Sequence, residues 1–211
     1  MRIALIGATG LIGRSLAPLL ACGNELLILS RRSAFVEGAR EIVSPIEAWP
    51  DLIAREAVDV AVSALGTTWR KAGGWPAFQA IDRTAVVDFA RAARAAGARQ
   101  MISVSSVGAD PSARNSYLAL KGRAEEDLAA LGFARLDLMR PGLLRGPRGS
   151  DRRLGERAAI LLSPMVNLML RGRFDRYAAI DASQVAVAIA GLVGRPEKGH
   201  FVHHNRDIRL H

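Results

Sequence analysis

The sequence has little cysteine, few aromatic residues and no long apolar run. Its single cysteine, Cys22, cannot form an internal disulfide, which is typical of a reducing compartment. The longest apolar stretch, residues 158–170, is interrupted by Ser163, Pro164 and Asn167 and is shorter than the roughly 20 residues that a membrane helix needs. No targeting segment is recognisable before the first predicted strand. We therefore expect a cytoplasmic protein without a membrane span.

Negative charge is scarce relative to positive charge. The chain has 29 Lys and Arg against 20 Asp and Glu, a net charge of +9. Such a surplus can bind nucleic acid by neutralising phosphates. Here, however, the arginines are spread along the chain, and aromatic residues, which would stack on bases, make up only 5%. We therefore expect a basic solvated surface and a small-molecule substrate instead of nucleic acid, in a monomer or homodimer.

The most informative stretch is a glycine-spaced segment near the N-terminus. Ile3–Ile6 is an apolar run typical of a buried parallel strand, and Gly7, Gly10 and Gly13 follow it into a helix predicted over 11–22. In dinucleotide-binding folds such glycines permit a tight turn, a close approach to a pyrophosphate and close packing of helix on strand. The helix N-terminus then binds the anion. The alternative is an ordinary strand-to-helix turn. The predicted cradle comprises Gly7, Ala8, Thr9, Gly10, Leu11, Ile12 and Gly13.

The rest of the chain alternates predicted strands and helices. The further strands are Glu25–Ser30, Arg40–Val43, Val58–Leu65, Gln100–Ser105, Leu136–Arg140 and Phe201–His203. The further long helices are Pro76–Ala96, Tyr117–Leu131 and Ala182–Val193. This alternation over 211 residues predicts an α/β protein with a doubly wound parallel sheet, a single Rossmann domain spanning 1–211. The less regular, arginine-rich residues 143–177 are expected to form a short substrate-covering segment.

Two arginines follow the second predicted strand. In a dinucleotide fold the end of this strand reaches the adenosine ribose, where an acid binds the hydroxyls of NAD and an arginine accommodates the 2′-phosphate of NADP. Arg31 and Arg32 stand there, and no acid does. Guanidinium groups bind phosphate oxygens by paired hydrogen bonds. These residues predict NADP(H), the alternative being two solvated arginines.

Another strand is predicted to end over the cofactor. Val58–Leu65 leads into Gly66, and a glycine at the carboxyl end of a parallel strand permits close ligand approach. We therefore predict that Leu65 and Gly66 contact the cofactor. The loop 67–75, with two tryptophans, forms either a pocket wall near the nicotinamide or a surface loop with an apolar anchor.

Tyr117 and Lys121 are the main candidates for catalysis. At i and i+4 on a helix they lie on one face about 6 Å apart, so the ammonium can stabilise a phenolate while both groups reach one ligand. The chain has only two tyrosines and three lysines, so this spacing is rarely met by chance. Ser105 and Ser106 end the preceding strand and are candidates to bind the substrate oxygen. The alternative for Tyr117 is a helix-surface tyrosine.

The four histidines lie near the C-terminus, and we predict no metal site among them. In an extended segment His200 and His204 stand about 13 Å apart. One zinc ion with bonds of about 2 Å cannot bridge that distance.

Together these motifs resemble the atypical short-chain dehydrogenase/reductase family. They are GATGLIG at 7–13, the Ser105-Ser106 pair, Tyr117-x-x-x-Lys121 and Arg140-Pro141-Gly142. Further segments look like the Tat-interacting-protein oxidoreductase branch of that family. These are Ala64-Leu65-Gly66-Thr67-Thr68 with Lys71-Ala72-Gly73, Ile81-Asp82-Arg83, Gly108-Ala109-Asp110, Tyr117-Leu118 and Lys121-Gly122. The resemblance covers most of residues 1–150 and weakens over 151–177.

The resemblance implies the cofactor and the reaction. NADPH would be bound by the glycine cradle, Arg31, Arg32, Leu65, Gly66, Tyr117 and Lys121, with Leu144 and Arg152 lining the nicotinamide end. Tyr117 would give a proton to a carbonyl oxygen, Lys121 would hold the ribose, and Ser106 or Ser105 would bind the oxygen, the family usually using the second serine. Residues 63–66 replace the family's usual Asn-Asn-Ala-Gly, so the substrate is not inherited.

The sequence thus predicts an NADPH-dependent oxidoreductase that reduces a carbonyl of a small molecule. Two alternatives remain. The chain is either an NADPH-binding redox sensor or interaction protein without turnover, or an epimerase or lyase acting on a nucleotide-sugar-like substrate. The Tyr117–Lys121 pair argues against a pure sensor, and the short region after residue 150 leaves little room for a nucleotide-sugar domain.

Overall fold

A parallel sheet of seven strands forms the centre of the computed structural model, which describes residues 1–67, 72–146 and 176–210. The strand order is β3-β2-β1-β4-β5-β6-β9, and every pairing is parallel. The strands are β1 (Arg2–Ile6), β2 (Glu25–Ser30), β3 (Ala39–Val43), β4 (Val60–Ser63), β5 (Gln100–Val104), β6 (Arg135–Arg140) and β9 (Gly199–His204). Two short strands, β7 (Leu144–Arg145) and β8 (Ile180–Asp181), pair separately. The predicted α/β fold with a doubly wound parallel sheet is confirmed.

Helices cover both faces of the sheet. They are α1 (Gly13–Ala21), α2 (Trp49–Ile53), α3 (Trp75–Gln79), α4 (Ala85–Ala95), α5 (Ser116–Ala130), α6 (Ala182–Leu192) and α7 (Asn205–Ile208). On one face α1 and α6 pack on the sheet, whereas α2, α4 and α5 contribute to the core of the other face. Because β1 and β4 are covered on both sides, their side chains are apolar at nearly every position. None of the described helices is long and apolar enough to cross a membrane.

The helix predicted over 76–96 differs from the observed one. The observed helix begins at Trp75 and is divided into α3 and α4 by a π-helical turn, Ala80–Thr84. A π turn inserts one residue into the helical period and so changes which side chains face inward. Smaller differences lie at element ends: the predicted strand Val58–Leu65 is shortened to β4, and the predicted strand Phe201–His203 is lengthened to β9.

Candidate active site

Two glycines of the cradle are required by packing. Gly7 has a φ of +87°, and a Cβ there would lie 2.6 Å from the carbonyl oxygen of Ala64 after β4. A Cβ at Gly13 would lie 2.7 Å from the Cα of Ala8. Both positions let α1 and the end of β4 approach the β1 turn more closely than any side chain permits.

Gly10 is less crowded than Gly7 and Gly13. Among the described residues, a Cβ there would meet the carbonyl oxygen of Gly7 in a tight contact of 3.1 Å and that of Ala64 at 3.8 Å. The neighbouring N-terminus of α1 has no side-chain cap and no acidic residue in its first turn. An uncapped helix N-terminus beside a residue without a side chain fits the pyrophosphate of a dinucleotide.

Arg31 and Arg32 lie just beyond the carboxyl end of β2 and are exposed. The hydroxyl of Ser30 donates a hydrogen bond of 2.7 Å to the carbonyl of Arg32 and so fixes this turn. Neither guanidinium forms an ion pair with a residue that the structure describes. Both are therefore available to a phosphate at this end of the sheet.

Tyr117 and Lys121 lie on one side of α5, as the spacing predicts. Asn115 caps this helix by accepting hydrogen bonds from the N–H groups of Tyr117 and Leu118, at 2.9 and 3.2 Å. The Tyr117 side chain is 39% exposed, and its ring lies 5.8 Å from that of buried Phe78. Tyr117 is therefore partly exposed and has its ring beside that of Phe78.

Lys121 is buried and forms an ion pair with Asp82, a residue for which the sequence predicts no role. Its Nζ lies 2.7 Å from Asp82 Oδ1, and Asp82 Oδ2 accepts a 2.8 Å hydrogen bond from the N–H of Thr67. Thr67 directly follows Gly66 at the predicted cofactor-binding edge. Asp82 thus links α5 to the loop after β4. It lies in the π turn, a local geometry that recurs at functional sites.

The structure separates the two candidate serines. The Ser105 hydroxyl donates a short hydrogen bond to Glu125, and the same carboxylate accepts two hydrogen bonds from Arg140, the Nε bond measuring 3.0 Å. The hydrogen bond from Arg140 to Glu125 raises the pKa of that guanidinium. Ser106 is half-buried, and within the described residues its hydroxyl makes one hydrogen bond, of 3.3 Å, to the carbonyl of Val107. Of the two hydroxyls, that of Ser106 is the one available to a substrate.

A close contact fixes Ser106 relative to Tyr117. A Cβ at Gly122 of α5 would lie 2.7 Å from the Cα of Asp110, in the loop that follows the serine pair. Glycine at 122 therefore lets α5 rest directly on this loop. The serine loop and the tyrosine helix are held as one unit.

The remaining residues predicted to contact the cofactor are Leu65, Gly66, Leu144 and Arg152. Leu65 is half-buried against the core, and a Cβ at Gly66 would lie 3.7 Å from Asp82 Oδ1. Leu144 is in β7 and packs against the core of the α1 face, and a Cβ at Gly146 would lie 2.9 Å from Leu11 of the cradle. Arg152 and most of the predicted substrate-covering segment, residues 147–175, lie outside the described residues.

Of the histidines of β9, His203 has a carboxylate partner and His204 is partly buried. His203 Nε2 lies 2.9 Å from Asp137 Oδ1, and burial, followed by the charge of Arg140, lowers the pKa of His204. In the described ranges no three His, Cys, Asp or Glu side chains are grouped to hold a metal ion.

Curated relatives match most of the chain. The mitochondrial FMP52 protein of Meyerozyma guilliermondii is 36% identical over 197 residues, which are 90% of this chain and 84% of the relative. That of Eremothecium gossypii is 35% identical over 202 residues, 90% of this chain and 88% of the relative. These names correct the expected cytoplasmic location, which is wrong by this comparison. The relatives are named FMP52 and not Tat-interacting protein, so membership of the Tat-interacting-protein branch stays a prediction. No protein-family model matches the chain.

Solved structures share the fold at low sequence identity. A candidate NAD-dependent epimerase/dehydratase from Bacillus halodurans has a TM-score of 0.72 and 21% identity and covers 100% of this chain and 97% of its own. WbmH of Bordetella bronchiseptica, in complex with NAD+, has a TM-score of 0.72 and 13% identity over 97% and 75% of the two chains. The UDP-glucose 4-epimerase of Thermotoga maritima, with UDP-glucose, has a TM-score of 0.70 and 13% identity. These neighbours establish the Rossmann-like fold.

Proposed function

The chain belongs to the FMP52 family, and from that premise we propose that it is an NADP(H)-dependent oxidoreductase that reduces a carbonyl group of a small molecule. The observation that carries the proposal is the Tyr117–Lys121–Asp82 arrangement. A partly exposed tyrosine lies on one helix face with a buried lysine, and the lysine is anchored through Asp82 to the loop where a cofactor would bind.

The proposed cofactor fits the residues present. Gly10, which has no side chain, and the uncapped N-terminus of α1 suit a pyrophosphate, and Arg31 and Arg32 suit a 2′-phosphate. Three of the solved neighbours are complexes with NAD or NAD+. The preference for the phosphorylated form therefore rests on the two arginines. A bound nicotinamide would supply the hydride that no side chain can provide.

Each catalytic role follows from the position of a side chain. The Tyr117 phenol is the general acid and donates its proton to the carbonyl oxygen. Lys121, held by Asp82, supplies the positive charge that stabilises the phenolate, and its remaining N–H groups can bind a ribose hydroxyl. Ser106 donates a hydrogen bond to the same carbonyl oxygen. Ser105 is assigned a positioning role, because Glu125 holds its hydroxyl.

A second candidate function is epimerisation of a nucleotide sugar. Several solved neighbours are complexes or enzymes of UDP-sugars, and the same phenol can serve as base or acid in such a reaction. Against it, this chain covers only 75–77% of the longer neighbours solved with UDP-sugars, so part of each of those chains has no counterpart here.

The two functions are distinguished by one screen of the wild-type protein. Carbonyl compounds are offered with NADPH or NADH while absorbance of the reduced cofactor is followed, and UDP-sugars are offered with NAD+ while products are separated by chromatography. Net loss of NADPH with a carbonyl supports the proposal. Interconversion of UDP-sugars without net cofactor consumption supports the epimerase, and turnover in neither assay supports the sensor.

A further inference from the structure

Two stretches that are distant in the sequence lie side by side at the carboxyl edge of the sheet. They are residues 141–146, which follow β6, and residues 176–181, which lead into α6. We call them the paired stretches, because β7 and β8 pair within them and the N–H of Ile180 donates a 2.9 Å hydrogen bond to the carbonyl of Leu143. Two strands of two residues each supply little stability by themselves, so other contacts are needed to hold the stretches together.

The side chain of Asn205 joins the two stretches. Its amide oxygen accepts a 2.8 Å hydrogen bond from the N–H of Gly142, and its amide nitrogen donates a 2.7 Å hydrogen bond to the carbonyl of Ala178. Asn205 is fully buried at the start of α7, where a hydrogen bond is stronger than one exposed to water. Glycine is required at 142, since a Cβ there would lie 2.3 Å from the carbonyl oxygen of Ala178. One buried amide therefore sets how closely the stretches approach each other.

The paired stretches contact both halves of the proposed site. At one end, the carbonyl of Pro141 accepts a 3.0 Å hydrogen bond from the N–H of Val107, which directly follows the serine pair. At the other end, a Cβ at Gly146 would lie 2.9 Å from the Leu11 side chain of the cradle. Residues 141–146 therefore extend from the serine loop to the cradle.

The sheet order indicates which half of a dinucleotide would lie beside the paired stretches. β2, which is followed by Arg31 and Arg32, lies on one side of β1, and β5 and β6 lie on the other. A dinucleotide held at its adenosine end by the two arginines would have its nicotinamide half toward β5 and β6. That half would lie beside the residues that follow β6.

We infer that Asn205 is a positioning residue for the nicotinamide half of the cofactor. Because Asn205 is fully buried, it acts through Gly142 and Ala178 and holds residues 141–146 at a fixed distance from the cradle and the serine loop. The inference rests on the proposed function, since it requires a dinucleotide that is bound across the cradle.

The test compares wild type, Asn205→Ala and Gln100→Ala, all as full-length proteins. Gln100 is the matched control, because this buried amide also bonds two backbone groups, the N–H of Gly194 and the carbonyl of Leu192, both at 2.8 Å. It lies at the start of β5, at the opposite edge of the parallel sheet. Calorimetric titration measures the affinity of each protein for NADPH and for adenosine 2′,5′-bisphosphate, which lacks the nicotinamide half. Thermal unfolding is measured for all three proteins.

We expect Asn205→Ala to bind NADPH at least tenfold more weakly than wild type and to bind the bisphosphate within twofold of wild type. Gln100→Ala should also lower the unfolding temperature but should keep both affinities within twofold. If Asn205→Ala binds NADPH as wild type does, or loses affinity equally for the two ligands, the inference is overturned and the proposed function is not. A wild type that binds neither NADPH nor NADH would overturn both.

A second measurement needs no variant and covers the case in which Asn205→Ala does not fold. Hydrogen exchange of residues 141–146 and 176–181 is followed by mass spectrometry in the wild type with each ligand. NADPH should slow exchange in both stretches at least threefold, and the bisphosphate should leave it unchanged. Equal exchange with the two ligands would overturn the inference.

Discussion

Lys121 and Asp82 form an ion pair of 2.7 Å whose two side chains are 6% and 1% exposed. Breaking a buried pair by removing one charge is costly, because the other charge is left without compensation. The pair also joins α5 to the loop after β4 through the N–H of Thr67. The position of the Lys121 side chain therefore depends on a residue that lies 39 positions earlier in the chain.

The first prediction concerns this pair. Asp82→Asn keeps the shape of the side chain but leaves the Lys121 ammonium buried and unpaired, so we expect a loss of about 3 kcal/mol in unfolding free energy. We also expect weaker cofactor binding and a lower kcat. Asp127→Asn is the matched control, because Asp127 pairs with Arg83 at 2.7 Å with both side chains about one-third exposed. The control should lose less than about 1 kcal/mol. Equal losses in urea titrations of the two variants would contradict the account.

The second prediction concerns the cradle. Gly10→Val should abolish cofactor binding with a loss of only about 1–2 kcal/mol in stability, because its side chain enters the space that the pyrophosphate would use. Gly7→Val should unfold the protein or destabilise it strongly, because of its positive φ and the nearby backbone of Ala64. Thermal unfolding and NADPH fluorescence are measured for both. Normal NADPH binding by Gly10→Val would show that the segment is only a turn.

The third prediction concerns cofactor choice. NADPH should bind at least tenfold more tightly than NADH, a difference of about 1.4 kcal/mol, and the double variant Arg31→Ala with Arg32→Ala should lose this preference. Arg55→Ala with Arg99→Ala removes the same charge at exposed positions elsewhere and should retain it. A wild type with equal affinities, or a double variant with unchanged preference, would refute the assignment.

The fourth prediction concerns stability and pH. Asp137 is buried and accepts hydrogen bonds from Gln100 at 2.9 Å and from Arg135 at 2.7 and 2.8 Å, and His203 lies 2.9 Å away. Burial raises the pKa of Asp137, but the hydrogen bonds from His203, Arg135 and Gln100 outweigh it, so the pKa lies below its ordinary value. Asp137→Asn should cost about 3 kcal/mol at neutral pH, because Arg135 stays buried.

The sign of the pH dependence follows from the lowered pKa. The stabilisation is complete above the unfolded carboxyl pKa of about 4 and is lost as pH falls through the folded value. The difference between wild type and Asp137→Asn should therefore narrow below about pH 4. Urea unfolding midpoints of both proteins at pH 7, 5 and 3 measure this difference in stability. A stability difference that stays the same at all three pH values would contradict the role of the charged carboxylate.

Much of the fold could be predicted from residue patterns. The apolar runs of β1 and β4, the spacing of Gly7, Gly10 and Gly13, and the i and i+4 positions of Tyr117 and Lys121 are local features, and the structure places them as local rules require. Asp82 could not be assigned, because a regular helical period puts it beside an apolar stripe. Only the π turn and the distant contact with Lys121 reveal its role.

The serine pair shows the same limit. Ser105 and Ser106 are equivalent in the sequence, and the hydrogen bond from Ser105 to Glu125 depends on the packing of α5 against β5 and β6. The connection between β2 and β3 shows it too, because Glu41 of β3 accepts hydrogen bonds from the N–H groups of Ala34 and Val36, a contact that no local pattern predicts. Features that depend on polar contacts between residues distant in the sequence therefore could not be predicted from local patterns.

The most direct test of the proposed chemistry is Tyr117→Phe, measured for NADPH affinity and carbonyl reduction beside wild type and Lys121→Ala. General acid catalysis contributes about 10²- to 10⁴-fold, so Tyr117→Phe should lose turnover by that factor while it keeps most of its NADPH affinity. Lys121→Ala should lose both affinity and turnover. Wild-type carbonyl reduction that survives Tyr117→Phe unchanged would contradict the account.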